Sequence, residues 1–531
     1  MTINHSKPKK LARTAAVAAS VAAMLVMSAC STGTPAEEPG AAEGQPVEGG
    51  TINIALSGEP TTLDATTTRS VLTQIFSTHI TEQLFALDGD FEPQPMLLED
   101  YEISEDGTTY TMNLRDGVVF HNGEPLTTTD VVASLERFEE LSGVGSAALG
   151  EADVAAVDEL TLTITFPGPQ GNLLSALSDR QAPIYPASVL EGAEPGPLAP
   201  ESVIGTGPYQ FDTWTPGVEI ILSKYADYAP LDTEASGVAG KKIAYADTLR
   251  FAAVPNAASR ITALESGQYQ IGEGFGGDDV QLIENSPNIE PARMRLGKLM
   301  MIVNTTLPPL DNPEIRRAIQ VGLNIDAFGQ ILGDEENWNV APSILPSDIP
   351  LSSDAGAEDF NRGDVEEAKR LLAEAGYDGT PITIMTPTLT TVQSQSVIMQ
   401  EQLQAMGIET TIDAVELPVM QTRRGDPNAG WNMVSSQVSG QTDITQTSFL
   451  ACDNKFSYIC VDKIDESLAA FSAAVGDTER QDAYNRIQER FYQEVPAYLT
   501  AEFWDLYGVH DSLQGFANKV QPFFWNTWVT N

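Results

Sequence analysis

The 531-residue chain has few of the residue types on which most catalytic and metal sites depend. It contains three cysteines and four histidines, and it lacks the motifs G-x-S-x-G, H-E-x-x-H, C-x-x-C and G-x-x-x-x-G-K-[ST]. A histidine-based triad or metal centre therefore has few candidate residues. We expect no enzymatic activity, no cofactor and no bound metal. A secreted hydrolase stays a remote alternative, because the 74 Asp+Glu residues could supply the pair of catalytic carboxylates that such an enzyme needs.

Basic residues are scarce as well. The chain has 29 Lys+Arg against 74 Asp+Glu, which gives a net charge of -45. Such a chain repels the phosphate backbone of nucleic acids, so a nucleic-acid partner is excluded. With 42% hydrophobic residues the chain can form several cores, and its length indicates two or more lobes.

The N-terminal segment departs from this acidic composition. Residues 1–29 contain four basic residues and no acid, and an apolar run from Thr14 to Ala29 precedes Cys30. The run is short for a membrane span. The pattern resembles a bacterial lipoprotein signal peptide, in which Cys30 becomes the lipidated N-terminus. Residues 30–50 are rich in Gly, Pro and Glu and have no aromatic residue, which predicts a flexible tether.

The other two cysteines, Cys452 and Cys460, are eight residues apart. An exported protein meets conditions that permit disulfides, so these two residues are a candidate disulfide. Closing so short a ring would stabilise the fold by roughly 2.5 kcal/mol at most.

One segment partly matches a calcium-binding loop. Asp88, Asp90, Glu92 and Glu99 occupy positions 1, 3, 5 and 12 of that loop, but Pro93 stands where the sharp turn needs Gly. A surface hairpin is the better interpretation.

Strand and helix patterns alternate along the chain. Residues 51–56 alternate apolar and polar side chains, and so do residues 109–114, as in half-buried strands. Thr127 followed by Asp130 predicts a capped helix start, and Pro313 predicts another. Strands that interleave with helices indicate an α/β protein with more than one unit.

Several ordered segments resemble a known family. The most specific is residues 106–123 (DGTTYTMNLRDGVVFHNG), and the others follow in the family's order: residues 62–64 (TLD), 205–209 (GTGPY), 263–267 (ALESG), 316–318 (RRA) and 371–377 (LLAEAGY). Together they resemble the large solute-binding proteins of bacterial ABC importers, family 5, which includes the dipeptide, oligopeptide and nickel binding proteins. The resemblance runs from about residue 50 to the C-terminus.

The resemblance implies a two-lobed, type II periplasmic-binding-protein (Venus-flytrap) fold of the α/β class. Lobe I would comprise residues 51–80, 204–296 and 500–531, with an extra subdomain at 81–203. Lobe II would comprise residues 297–499. The lobes would rotate about connecting strands to enclose a ligand.

In peptide-binding relatives an acidic side chain, shortly after a Gly-Trp pair on a lobe II strand, receives the ligand's amine. The corresponding stretch here is residues 431–443 (WNMVSSQVSGQTD). Gln437 and Val438 then stand where Gly and Trp would be, and Gly440 or Gln441 stands where the acid would be. The amine-capturing carboxylate is therefore missing, unless a shift of two residues brings in Asp443.

Because this carboxylate is missing, the sequence leaves two hypotheses for the chemical class of the ligand. A short peptide or peptide-like compound is the first hypothesis, and a non-peptide ligand, such as an oligosaccharide, an opine-like compound or a nickel complex, is the second. Ser439 is the remaining candidate ligand-binding residue within residues 431–443.

Near the start of the chain, Arg69 lies five residues after Asp64, at a position close to ligand in the oligopeptide binder, and Ser70 is adjacent. A buried guanidinium would favour a carboxylate or another polar anion, although pairing with one of the many acids on the lobe surface explains Arg69 equally well. Three apolar candidates could line the cleft, but each fits a core position as well: Leu417, Phe503 and Trp504.

The predicted role follows from the family resemblance. We expect a monomeric lipoprotein on the outer face of the bacterial cell membrane. It would capture a small solute and deliver it to an ABC permease and its ATPase subunits.

Overall fold

The structure is a computed structural model that describes residues 45–276, 279–333, 335–426, 428–439, 442–447, 450, 462–516 and 521–530. No helix within these ranges has both the length and the apolar run needed to cross a membrane.

The first part of the chain contains a small antiparallel sheet with its own core. The elements of this part of the chain are β1 (Thr51–Leu56), α1 (Val71–Ile80), β2 (Phe85–Leu87), β3 (Pro93–Pro95), β4 (Leu98–Ile103), β5 (Thr109–Leu114), α2 (Thr128–Leu141), α3 (Gly143–Leu149), β6 (Asp153–Ala156), β7 (Thr161–Thr165), α4 (Leu173–Leu177) and α5 (Ala187–Leu190). The small sheet consists of four of these strands, in the order β4-β5-β7-β6. Tyr110, Leu135 and Phe138 lie in the core that covers this sheet.

The middle part contributes strands to a second, larger sheet. Its elements are β8 (Tyr209–Thr215), β9 (Glu219–Lys224), β10 (Thr248–Ala253), α6 (Ala257–Glu265), β11 (Ile271–Phe275), α7 (Asp279–Glu284) and β12 (Ile289–Val303).

The last part completes the large sheet and its covering helices. Its elements are α8 (Pro313–Gly322), α9 (Asp326–Gly329), β13 (Trp338–Asn339), α10 (Val365–Glu374), β14 (Ile382–Pro387), α11 (Thr390–Ala405), β15 (Thr410–Val415), α12 (Leu417–Arg424), β16 (Met433–Ser439), α13 (Asp462–Ala473), α14 (Asp477–Glu494), β17 (Ala497–His510), β18 (Leu513–Gln514) and β19 (Trp528–Val529). Short 3-10 helices include Ala65–Thr67 and Ile444–Gln446.

The large sheet has the strand order β15-β14-β16-β12-β17-β11-β1-β10-β9-β8. Its centre is the long antiparallel ladder of β12 and β17, which pairs Ile289 with His510 at one end and Ile302 with Ala497 at the other. β16 joins β12 along residues 297–303, whereas β11 joins β17 at residues 506–509. The two halves of the sheet therefore attach at opposite ends of one ladder, and β12 and β17 run through both.

Each half of the large sheet has separate cores. Phe76, Phe251 and Trp525 pack on the half that contains β1. Trp431 and Tyr484 belong to one core of the half that contains β16, and Ile319 and Leu403 belong to another. Independent cores on the two halves are the arrangement from which lobes are built.

The local sequence predictions are confirmed. Residues 51–56 form β1, and the inward side chains of β5 are buried while its outward side chains are half-buried. Thr127 and Asp130 form the predicted capping box, in which Asp130 Oδ2 accepts a hydrogen bond from Thr127 N at 2.8 Å. Pro313 begins α8. Asp88 closes the β2–β3 hairpin by accepting hydrogen bonds from the backbone of Asp90 and Glu92.

Candidate functional site

A cavity of about 30 Å³ lies where distant parts of the chain converge. Its walls come from the region of α1, from the turn after α4, from residues beyond β9 and from the segment after β16. The lining is mostly polar: Arg69, Thr78, Gln83, Leu87, Ser178, Asp179, Arg180, Val238, Lys242, Thr442, Gln446 and Gln521. Converging polar groups of this kind suit a polar ligand.

Arg69, predicted from the sequence, lines this cavity. It precedes α1, and its side chain is 39% exposed. Its Nη1 donates hydrogen bonds to Asp179 Oδ2 at 3.3 Å and to Gln181 Oε1 at 3.2 Å. The guanidinium is therefore paired with an acid of the protein, and it also lines the cavity, where a ligand could reach it. The neighbouring Ser70 is the N-cap residue of α1 and is half-buried.

The buried carboxylate of Asp179 joins three segments. Its Oδ2 accepts hydrogen bonds from Arg69 and from Gln446 Nε2, the latter at 3.2 Å. Its Oδ1 accepts a hydrogen bond from the backbone of Gln181 at 2.9 Å. Both oxygens are thus engaged, and the turn after α4 is tied to the segments before α1 and after β16.

Arg180 is a second guanidinium at the cavity. Its Nη1 donates to Gln74 Oε1 at 2.6 Å. Burial lowers the pKa of Arg180 to about 10; Asp179 counteracts this effect and the charge of Arg69 adds to it. The side chain remains protonated at neutral pH, and its positive charge faces that of Arg69.

Lys242, the third cation of the lining, belongs to a buried network. Its Nζ forms an ion pair with Glu82 Oε1 at 2.9 Å, and Tyr228 donates to the same oxygen at 2.9 Å. The other Glu82 oxygen accepts a hydrogen bond from Thr206 at 3.0 Å. Thr206 lies in the Gly-Thr-Gly-Pro-Tyr segment singled out in the sequence, so that segment holds a structural ion pair in place.

The signature residue Asp64 has a structural role too. Its carboxylate is fully buried and pairs with Arg137 Nη2 at 2.5 Å. Tyr185 OH and the backbone of Leu198 donate to it at 3.0 Å each. These contacts tie the 3-10 helix before α1 to α2 and to residues beyond α4, which fixes the wall that carries Arg69.

The stretch predicted to receive a ligand amine lies on and after β16. Gln437 is exposed and pairs with Leu299, and Val438 is half-buried and pairs with Lys298. Only the backbone of Ser439 is described, opposite Gly297. Gly440 and Gln441 lie outside the described residues. These five candidates stay predictions.

Asp443, the alternative amine receptor, is 2% exposed and caps the 3-10 helix that contains Gln446. Its Oδ1 accepts hydrogen bonds from Thr445, and its Oδ2 pairs with Arg480 at 2.5 Å. A ligand amine could replace Arg480 only if this buried pair opened.

The remaining candidates lie elsewhere. Leu417 begins α12, is 37% exposed and is not among the residues that line the cavity. Phe503 is buried against Leu299 and Val392, and Trp504 is half-buried on β17. Three other predicted residues lie outside the described ranges: Cys30, Cys452 and Cys460.

The described histidines include His79, which is fully buried, and His121, which is half-buried. Burial lowers the pKa of His79 to about 3 and that of His121 to about 4. His79 accepts a hydrogen bond from Phe524 N at 2.9 Å, so it holds the C-terminal segment against α1. Within the described ranges no group of three or more His, Cys, Asp and Glu side chains could hold a metal ion.

Two acidic side chains approach each other where β11 meets β17. Glu273 is 6% exposed, and its Oε1 accepts a hydrogen bond from the backbone of Ser57. Burial, and after it the carboxylate of Glu273, raises the pKa of Asp505 to about 7. Neither residue lines the cavity, and the two carboxylates, one on β11 and one on β17, repel each other when both are ionised.

Of the described polar residues in the lining, sequence reasoning predicted Arg69 and missed the others, among them Asp179, Arg180, Lys242 and Gln446. None of them belongs to a local motif. The segments that carry them are far apart in sequence, and the hydrogen bond between Asp179 and Gln446 spans 267 residues.

Comparisons with known proteins agree with this architecture. Residues 92–456 match the model of the family described as "Bacterial extracellular solute-binding proteins, family 5 Middle". The chain is 27% identical to the probable peptide ABC transporter periplasmic-binding protein y4tO of Sinorhizobium fredii, over 74% of this chain and 76% of the relative. It is 25% identical to the glutathione-binding protein GsiB of Escherichia coli K12, over 84% of this chain and 87% of the relative.

Among solved structures, the periplasmic binding protein AgaA from A. tumefaciens R10, in complex with agropinic acid, superposes with a TM-score of 0.75. It is 25% identical, and the match covers 91% of this chain and 99% of AgaA. The predicted fold class is confirmed: α/β, with the two-lobed type II architecture and an extra subdomain in the first lobe.

Proposed function

The chain belongs to family 5 of the bacterial extracellular solute-binding proteins, and we propose that it captures a short peptide or a peptide-like compound for an ABC importer. The solute binds in the cavity that Arg69, Asp179 and Gln446 line, and the loaded protein delivers it to the permease and its ATPase subunits. The protein itself catalyses no reaction.

The observation that carries this proposal is the convergence at Asp179. Arg69 and Gln446 reach the same carboxylate oxygen from segments more than 370 residues apart along the chain. A cavity assembled from such distant segments can open and close as they move. Closure excludes water and strengthens each polar contact with an enclosed solute.

The relatives support a peptide ligand. One is named for peptide transport and another for glutathione, which is itself a modified tripeptide. The polar lining is consistent with backbone amides and carboxylates as binding partners.

A non-peptide solute is the second candidate. AgaA, which is similar over nearly its whole length, was solved with agropinic acid, an opine. The carboxylates of Asp179 and Asp443 are both engaged by protein donors, which favours a ligand that needs no acidic partner for an amine.

We propose the following organisation for the whole chain. Residues 1–29 are a lipoprotein signal peptide, Cys30 anchors the mature monomer to the outer face of the cell membrane, and residues 30–50 are a tether. Lobe I comprises residues 51–80, 204–296 and 500–531, its subdomain residues 81–203, and lobe II residues 297–499. The attachment of the half-sheets at opposite ends of the β12–β17 ladder supports this division.

Native mass spectrometry of protein purified from its own organism tests the proposal, because closed binding proteins often retain their solute. Masses of short peptides or of glutathione-like compounds are the expected result. A constant sugar or opine mass would favour the second candidate. Protein that carries no solute, and that binds neither class when they are added, would contradict both.

A further inference from the structure

The cavity has an uneven charge balance. Among the described residues that line it, three are cations, namely Arg69, Arg180 and Lys242, and one, Asp179, is an anion. Lys242 is neutralised by Glu82 at 2.9 Å, and both side chains are buried. The net charge that a ligand meets in the cavity is therefore set by Arg69, Arg180 and Asp179.

Arg69 and Arg180 have one carboxylate between them. Arg69 forms an ion pair with Asp179 at 3.3 Å. Within the described part of the chain no carboxylate lies at ion-pair distance from Arg180, whose Nη1 bonds to the neutral amide of Gln74. Burial lowers the pKa of Arg180, the carboxylate of Asp179 opposes this effect, and the charge of Arg69 adds to it. Among the described residues of the lining, one positive charge is left over, in a chain whose net charge is -45.

The carboxylate of Asp179 already accepts hydrogen bonds from the protein. Both oxygens of Asp179 accept hydrogen bonds, from Gln181, Arg69 and Gln446. A ligand ammonium group at Asp179 would share a carboxylate that already accepts three protein hydrogen bonds and is paired with Arg69. A ligand carboxylate at the two guanidiniums would displace nothing that the structure shows and would gain charge-assisted hydrogen bonds.

We propose that this cavity selects anionic solutes, whose carboxylate docks between Arg69 and Arg180, and that it does not require a free amine. The inference rests on the proposed solute-binding function and narrows its substrate class to acidic or amine-blocked peptides and to sugar acids. Selection occurs inside the cavity, because the acidic surface repels anions at long range.

Calorimetric titration with two pairs of probes tests the inference; the members of each pair are similar in size and differ in charge. The peptide pair is N-acetyl-Ala-Ala-Ala, which is anionic, and Ala-Ala-Ala-amide, which is cationic. The sugar pair is glucuronate and glucose. We expect the anionic member of at least one pair to bind about tenfold or more tightly than its partner, as a lost charge-assisted contact implies. Equal binding, tighter binding of the uncharged or cationic member, or no binding of either pair would overturn the inference.

Variants identify the groups responsible. Arg180→Gln should remove the preference for the anionic member, and Arg180→Lys should restore part of it. Arg370→Gln is the matched control, because Arg370 lies exposed on α10, where it pairs with Glu367 and Glu374. Circular dichroism melts verify that each variant is folded. A preference that survives Arg180→Gln in folded protein would contradict the assignment.

Asp179→Asn separates anion capture from amine capture. It removes the negative charge and keeps the shape, so binding of the anionic probe should be kept or strengthened. Weakened binding of that probe, together with lost binding of the amine-bearing peptide, would show that Asp179 receives an amine and would overturn the inference. Failure of the charge preference is distinguishable from failure of the proposed function, because a solute recovered by native mass spectrometry would still show that the protein binds one.

Discussion

Gln446 donates a hydrogen bond from its side-chain amide to Oδ2 of Asp179 at 3.2 Å, across 267 residues of sequence. The same oxygen accepts from Arg69. A segment that follows β16 is thereby connected to the wall built around α1 and α4. This shared carboxylate links these segments at the cavity, and the contacts around it should govern ligand affinity.

Arg69→Ala should weaken solute binding by about 1.5 to 3 kcal/mol, the range for a lost hydrogen bond to a charged group. Isothermal titration calorimetry with the solute identified by mass spectrometry measures the change. Arg362→Ala, in an exposed pair with Asp359, serves as the control and should leave affinity unchanged. Unchanged affinity in folded Arg69→Ala protein would remove Arg69 from the site.

Arg137→Ala should lower the free energy of unfolding by about 3 kcal/mol or more, because it leaves the fully buried Asp64 carboxylate without its cation. Urea titration followed by tryptophan fluorescence measures the loss. Arg317→Ala breaks an exposed pair with Glu314 and should cost less than about 1 kcal/mol. Similar losses in the two variants would show that the Asp64 network does not stabilise this wall.

Gly207→Ala should destabilise the fold by about 1 to 3 kcal/mol, the usual range for overpacking. A Cβ atom at this position would lie 2.3 Å from the backbone oxygen of His79, which cannot move without disturbing the end of α1. Gly168→Ala is the control, since nothing lies within 4 Å of a Cβ there. A thermal melt distinguishes the two, and equal melting temperatures would argue against the close packing.

Asp505 should make the fold less stable as the pH rises from about 4 to 7. Its pKa is raised to about 7 from an ordinary value of 3.8, so over this window the unfolded chain releases a proton that the folded chain retains. Asp505→Asn should therefore gain stability relative to the parent protein as the pH increases. Urea titrations at pH 4, 5.5 and 7 measure this difference, and a difference independent of pH would contradict the raised pKa.

Cys30→Ser should release the protein from cells into the medium, because the proposed lipid attaches to that sulfur. Immunoblots of membrane and medium fractions measure the distribution, and the mass of the mature N-terminal peptide checks for the lipid. Thr34→Ala, in the tether, should remain at the membrane. Retention of Cys30→Ser at the membrane would contradict the lipid anchor.

The local sequence determined the kinds of elements. Side-chain alternation predicted β1 and β5, and the spacing of Thr127 and Asp130 predicted the start of α2, because these patterns depend on neighbours one to four residues away. The ordered segments also indicated the family, which the match to residues 92–456 shows.

The cavity depended on contacts that no local pattern encodes. Arg69 was found by analogy, but its partner Asp179 lies 110 residues away, and Arg180 and Lys242 belong to no motif. Among the apolar candidates, Phe503 packs in a core and Leu417 is exposed. The sequence by itself determined the elements, the family and the acidic surface. Which charges share the cavity depends on the folded structure, because the side chains that pair there come from segments far apart in sequence.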